Sequence, residues 1–218
     1  MKGNCVRKVG CYGNNAGQLL YPADVTYLND DNILVVDQLN HRIQQFNIQT
    51  ENSVESFGKK GKKDGEFQNP VSVCLDDEGR VIVANHRNDR VQVLSQDGKP
   101  LFKFKDKGPG KLSEPNAYVC YENKFIVCAK HNHWLKVDKS GTFLYKIEEQ
   151  DKDNGQLFYS RGLCVQKCGN HHNLLVCNVG NHRVDQFTLE GCFTGKTLDK
   201  LQYSIGITET PDRLIFSY

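Results

Sequence analysis

The sequence predicts an all-β protein of the β-propeller class, and three observations carry that prediction. The first is a repeat: Pro22, Pro70, Pro115, Ser160 and Ser204 stand 48, 45, 45 and 44 residues apart, and Asn40, Asn88, Asn132 and Asn181 stand 48, 44 and 49 apart. Self-similarity at one period fixes the architecture before any single residue is read. The second is the content of each unit, four short β-type runs bounded by turn residues; "VSVCL", "RVIVAN", "RVQVLS" and "LFKF" follow one another from Val71, with "DDEG" and "QDG" among the turns. The third is that the runs are apolar almost without alternation, as an antiparallel sheet shows when both faces are covered. Four-stranded meanders covered on both faces by their neighbours are stacked blades.

Four complete blades occupy about 11–58, 59–105, 106–148 and 149–197, and a fifth is split between 1–10 and 198–218. "VRKVG" at Val6–Gly10 matches a fourth strand, while "IGITE" and "RLIFS" match a first and a second. No third strand is left for the split blade. The ring therefore closes on a three-stranded blade or the chain is part of something longer, and the second reading is preferred.

Composition bounds the function. The 218 residues are 38% hydrophobic and 25% charged, with a net charge of +2 that argues neither for nor against nucleic acid. No run reaches the ~18–20 apolar residues of a membrane span, and the N-terminus has no apolar signal core. A cytoplasmic location is expected, with no membrane partner. The nine cysteines are odd in number and form no CxxC pair, Cys164 and Cys168 being the closest. Cys128 and Cys177 take the places held by Val36 and Ala84 in other units, so they are read as small hydrophobes in a reducing compartment.

The units share Gly-x-x-x-Gly-x-Phe/Leu, then Pro, then Asp or Asn, then Asn-His-Arg before an apolar strand. The clearest copy runs from Gly58 to Phe104. This pattern resembles the NHL repeat, and most of all the NHL propellers at the C-terminus of tripartite-motif (TRIM) proteins. The resemblance covers the four units and the partial fifth. It implies a propeller that in the family usually has six blades, preceded by a RING finger, B-boxes and a coiled coil. The chain would then be a fragment of a six-bladed ring or a free-standing NHL protein. No zinc-ligand spacing or heptad run is present, so ubiquitin-ligase activity, which the family's RING carries, is not expected of this chain itself.

The Asn-His-Arg loops are read as structural locks. Asp37, Asn85 and Asn178 close the second strand of their blades, with Asn40 and Arg42, Asn88 and Arg90, and Asn181 and Arg183 across the loop. Asx side chains there can satisfy backbone donors and tolerate left-handed geometry, and the Arg can pair with the Asp. Metal binding would need ligands converging from several blades, and the loops of His41 and His182 offer one histidine each. No cofactor and no metal are expected. The first strands, which line a propeller's channel, supply Asp24, Arg161 and Glu209 as their charges and no histidine, so lyase or lactonase chemistry stands as a minor alternative.

Topology sorts the loops. The loop from strand two to three and the connection from strand four to the next blade leave on the same side. The Asn-His-Arg loops thus share a face with Lys59, Lys60, Lys62, Lys63, Lys103, Lys105, Lys107 and Lys111, with Arg87 and Arg90 between them, and with the acidic run Glu148, Glu149, Asp151 and Asp153 beyond. The third unit breaks the pattern: Ala129 replaces the Asx, and "KHNHW" puts His131, His133 and Trp134 where the Asn-His-Arg should stand. The expected partner of this face is a protein, such as a ligase substrate, with single-stranded or hairpin RNA as the alternative. No small-molecule substrate is expected.

Overall fold

The computed structural model describes residues 7–104, 112, 114–122, 124–129, 133–138, 140, 142–147, 157, 160–199, 206–210 and 213–217; at 129, 133–137, 143, 145–147, 199, 208–210 and 213–217 it describes the backbone alone. The chain divides into two compact units, 1–105 and 106–218.

In the first unit a parallel pair, β1 (Cys11–Tyr12) and β2 (Gln18–Leu19), leads into two antiparallel meanders. The first is β3 (Pro22–Tyr27), β4 (Asn32–Asp37), β5 (Arg42–Asn47) and β6 (Ser53–Phe57). The second is β7 (Pro70–Leu75), β8 (Val81–Asn85), β9 (Arg90–Leu94) and β10 (Pro100–Phe104), within a residue or two of the boundaries expected from the pattern. Pro22 and Pro70 open first strands and sit beside register shifts, places where a residue without an N–H costs the ladder least. Leu34, Val36 and Ile43 of the first sheet bury against Phe67, Val73, Val81, Val83 and Leu94. Every residue of β8 and β9 is buried, which is why these runs read as apolar without alternation. Phe67 fixes the connection between the sheets: Gly58, at φ +90°, packs so tightly on it that a Cβ there would lie 2.3 Å from the ring.

The second unit repeats the plan. Its sheets are β11 (Ala117–Tyr121), β12 (Lys124–Ala129), β13 (His133–Asp138) and β14 (Phe143–Ile147), then β15 (Ser160–Cys168), β16 (His171–Asn178), β17 (Arg183–Thr188) and β18 (Phe193–Asp199), then a two-stranded sheet of β19 (Gly206–Thr210) and β20 (Arg213–Ser217). The β15–β18 sheet is covered on both faces. Leu163, Leu174 and Val176 pack with Ala117, Ile126 and Cys128 on one side, and Cys164, Leu175 and Cys177 pack with Ile207 on the other. The cysteines serve as core residues here. Burial pushes the Cys177 thiol up to about 12, and no disulfide forms among the described residues.

Two expectations change. Arg7–Gly10 form no strand, and Val6 lies outside the described residues. A fourth strand needs a third beside it, and none is described; Arg7 instead donates to the Ile48 carbonyl at 2.6 Å. The third meander also has a shorter loop. Its register pairs Ala129 with His133, leaving three residues between, whereas Asp37 pairs with Arg42, Asn85 with Arg90 and Asn178 with Arg183, leaving four. The register also places His133 and Trp134 inside β13, not in the loop. No helix among the described residues is long and apolar enough to cross a membrane.

Candidate functional site

Each complete Asn-His-Arg loop is one turn of 3-10 helix, Gln38–Asn40, His86–Asn88 and Val179–Asn181. The residue that follows turns the chain into the strand from the left-handed region: His41 at φ 58°, Asp89 at 49° and His182 at 54°. Left-handed geometry therefore falls one place after the asparagine that was expected to take it. That leaves the Asn side chain to bond across the loop.

In the first blade the bonds converge on Asp37, which is fully buried. Its carboxylate accepts from the Leu20 N–H at 2.7 Å, from Asn40 Nδ2 at 2.9 Å, from Arg42 Nε at 2.7 Å and from Gln44 Nε2 at 3.0 Å. The same side chains reach onward to the connection that enters the blade. Asn40 donates to the Gly13 carbonyl, Arg42 to those of Asn15 and Gln18, and Gln44 to Gln18. The motif thus ties the loop to the preceding connection through a carboxylate with its charge matched and its lone pairs filled.

The second blade repeats the lock with an amide in the middle. Asn85 accepts from the Gln68 N–H at 2.8 Å, and Asn88, Arg90 and Gln92 donate to the carbonyls of Gly61, Lys62, Lys63 and Glu66. Without a carboxylate at 85, Arg90 Nε is buried with no partner, as is Asn88 Oδ1 for want of a donor, and burial pulls the Arg90 pKa down. Asn85→Asp would give that Nε an acceptor and is expected to stabilise the protein by about 1 kcal/mol. Thermal unfolding checks it; a lower midpoint would contradict the comparison with Asp37. Arg90 is 4% exposed, with both terminal nitrogens on loop carbonyls. It is a lock member, as its place across the loop suggested, and at this exposure it offers little surface for the partner-binding role also expected of it.

The fourth blade reverses the polarity. Asn178 stands where Asp37 does, and the carboxylate has moved to Asp185, the position of Gln44 and Gln92. Asp185 is fully buried and accepts from Asn178 Nδ2 at 2.7 Å, Arg183 Nε at 3.0 Å and Thr197 Oγ1 at 2.7 Å. In the third blade, register puts Ala129, His133 and Leu135 in the three lock places. The partner seven residues after the Asx was not singled out from the sequence. Its signal was there, a polar residue recurring inside an apolar strand.

The basic residues divide. Lys59, Lys60, Lys62, Lys63 and Arg87 are exposed on the first unit's loops. Lys59 lies 3.7 Å from Glu66, and Lys103 pairs with Asp64. Both acids are held below the usual carboxylate range, Glu66 first by the Lys63 N–H and then by Lys59, and Asp64 by Lys103. No ion pair is made by Lys60, Lys62, Lys63 or Arg87 among the described residues. The two loop systems touch: the Asn69 N–H donates to His41 Nδ1 at 3.1 Å, and the Arg87 N–H to the Gln68 carbonyl. Burial and then Lys60 lower the His41 pKa. Lys60→Ala is expected to raise it toward the ordinary 6.5 in an NMR titration. Because the neutral ring is favoured, its contribution to stability is present above the unfolded value and lost as pH falls through the folded one.

Other expected residues fall elsewhere. Lys105, Lys107, Lys111, His131 and the acidic run 148–153 lie outside the described residues, and His133 and Trp134 are described in backbone only. Asp24 accepts from Ser72 Oγ at 2.8 Å and the Val73 N–H at 2.9 Å, clamping β3 to β7, and burial raises its pKa. It is spent on structure. No cluster of three or more His, Cys, Asp or Glu suited to a metal is found among the described residues.

The NHL repeat family matches residues 19–46 and 67–94, the stretches that hold the first two locks. Among curated relatives, protein lin-41 of Caenorhabditis elegans is 43% identical over 56 residues, which is 26% of this chain and 5% of that protein. Protein brain tumor of Drosophila melanogaster is 28% identical over 145 residues, 64% of this chain and 14% of that protein. The E3 ubiquitin-protein ligase TRIM71 of Xenopus tropicalis is 44% identical over 52 residues, 24% and 6% respectively. The matched stretch is thus a small part of each relative. Among solved structures, virginiamycin B lyase from Staphylococcus aureus, an inactive H270A form with quinupristin, superposes with a TM-score of 0.66 at 14% identity over 89% of this chain and 62% of its own. A chain of a nidogen/laminin complex gives 0.64 at 18% identity, over 90% and 71%. Identities this low speak for the fold alone, and the fold is a β-propeller. Residues 19–46 and 67–94 are thus NHL repeats in a chain with a β-propeller fold, similar to the TRIM-NHL proteins lin-41 and TRIM71.

Proposed function

We propose that the chain is a non-catalytic recognition module whose loop face recruits a protein partner through an acidic segment carrying an apolar anchor, in the cytoplasm. The observation that supports this is the combination on the first unit. Lys60, Lys62, Lys63 and Arg87 are exposed without ion pairs among the described residues, and Leu39, at the repeat position of Arg87, is 44% exposed. Buried locks hold the loops that carry them, so little ordering cost remains for binding. Where a longer parent carries a ligase domain, the recruited protein would be its substrate. Affinity capture from a cytosolic extract with wild type and the Lys60→Glu, Lys63→Glu double variant tests the reading. Proteins held by the wild type and released by the variant are expected; identical captures would refute it.

The unpaired cations also favour a second reading, single-stranded or hairpin RNA. Charge reversal would then flatten the salt dependence of RNA binding, by about 0.7 in log–log slope for each phosphate no longer neutralised. Equal weak binding of an RNA panel by both proteins at two salt concentrations would remove RNA and leave the protein reading.

A further inference from the structure

The loop ends of the first two meanders carry different chemistry at the same repeat positions. The two are offset by 48 residues, so Tyr12, Tyr21 and Leu39 stand where Lys60, Asn69 and Arg87 stand in the next blade. The bonds agree with that offset. Asn40 Nδ2 donates to the Gly13 carbonyl and Asn88 Nδ2 to that of Gly61, and the Leu39 and Arg87 N–H groups donate to the carbonyls of Leu20 and Gln68. Tyr12 is 85% exposed and Tyr21 70%, and neither phenol hydroxyl has a partner among the described residues. The Asn69 N–H, donating to His41 Nδ1 at 3.1 Å, ties the connection of the cationic half to the loop of the aromatic half.

Tyr21 is held there at a cost. The residue before the first-strand proline takes the left-handed region in both blades, Tyr21 at φ 59° and Asn69 at 50°. Asn tolerates that region, whereas a bulky aromatic residue is an outlier in it. Packing does not recover the strain, because the ring is exposed. Binding explains a strained, exposed aromatic side chain where folding does not.

Phenols on an open surface suit an occupant that brings flat rings and free acceptors. A proline-rich segment brings both: polyproline II has no internal hydrogen bonds, so its carbonyls accept from Tyr hydroxyls while its rings lie on the phenols. Being extended before it binds, it loses little entropy on docking. The cations Lys60, Lys62, Lys63 and Arg87, without ion pairs among the described residues, set the charge of the adjoining residues as acidic. We infer, resting on the protein-recruitment reading of this face, that the recruited segment joins a proline-rich half on Tyr12, Tyr21 and Leu39 to an acidic half on Lys60, Lys62, Lys63 and Arg87.

The test is fluorescence anisotropy of the full chain with a labelled peptide that joins an oligoproline half to an oligoaspartate half. Replacing the prolines by glycine, or the aspartates by asparagine, is expected to weaken binding about tenfold each, the effect of losing one strong contact. Tyr12→Ser should weaken the intact peptide about tenfold and leave the glycine version unchanged. Tyr21→Asn should do the same while raising the melting temperature; a lower one would contradict the strain that singles this residue out. No saturable binding by the wild type, or tyrosine variants that bind the intact peptide as the wild type does, would overturn the inference. A cytosolic capture that still separates wild type from the Lys60→Glu, Lys63→Glu variant would then leave the recruitment reading standing with a different anchor. Oligouridine bound with the tyrosine dependence expected of the peptide would assign the surface to RNA and also overturn it.

Discussion

Asp37→Ala is expected to lower the free energy of unfolding of the first blade by about 3–5 kcal/mol, the cost of breaking a buried ion pair from one side. The carboxylate is fully buried and satisfies Leu20, Asn40, Arg42 and Gln44 together. Its removal strands the Arg42 charge and three further donors in a partly buried setting. Native-state hydrogen exchange of the β4 and β5 amides reads the loss directly. Asp37→Asn should cost far less, because Asn85 fills that place in the next blade with a working set of bonds. An alanine cost below about 0.5 kcal/mol, the range of an ordinary surface substitution, would contradict the lock.

The reversed lock of the fourth blade gives the second large effect. Asp185→Gln leaves Arg183, Asn178 and Thr197 without their acceptor. Asn178→Asp puts a second carboxylate beside the first, and one of the two must then take a proton or move. Each single substitution is expected to cost about 2 kcal/mol or more, within the range of buried-network mutations. The double variant restores the arrangement of Asp37 and Gln44 and should recover at least about 1 kcal/mol, a coupling of the size seen between neighbouring residues of one network. Additive costs in a double-mutant cycle would show that the two blades do not share one design.

The blades were legible because a repeat states the same fold several times, and each copy corrects the reading of the others. Pro22 and Pro70 marked first strands, and Val81–Asn85 and Arg90–Leu94 marked inner strands, because residue type and burial agree there. The lock was legible in part. Asp37, Asn40 and Arg42 stand within one loop, but Gln44 completes the set from the strand, where a polar side chain in an apolar run gives no sign of what it bonds. Arg90 was placed both in the loop lock and on the partner face, the second because a charged residue is usually at the surface; its carbonyl partners belong to a connection 24 to 28 residues earlier. The one-residue deletion before His133 was hidden because "NHW" still resembles "NHR" in sequence.

In the proposed function the motif holds a face in place for a partner. The most direct test is amide hydrogen exchange of the full chain, alone and saturated with the partner captured by the wild type. Protection is expected in the 59–65 loop and at Arg87. The turns at Asn29–Asn32 and Asp76–Arg80, which join first strands to second at the other end of these sheets, should be unchanged. Protection of those two turns with exchange at 59–65 unaltered would place the partner on the opposite face and contradict this role for the motif.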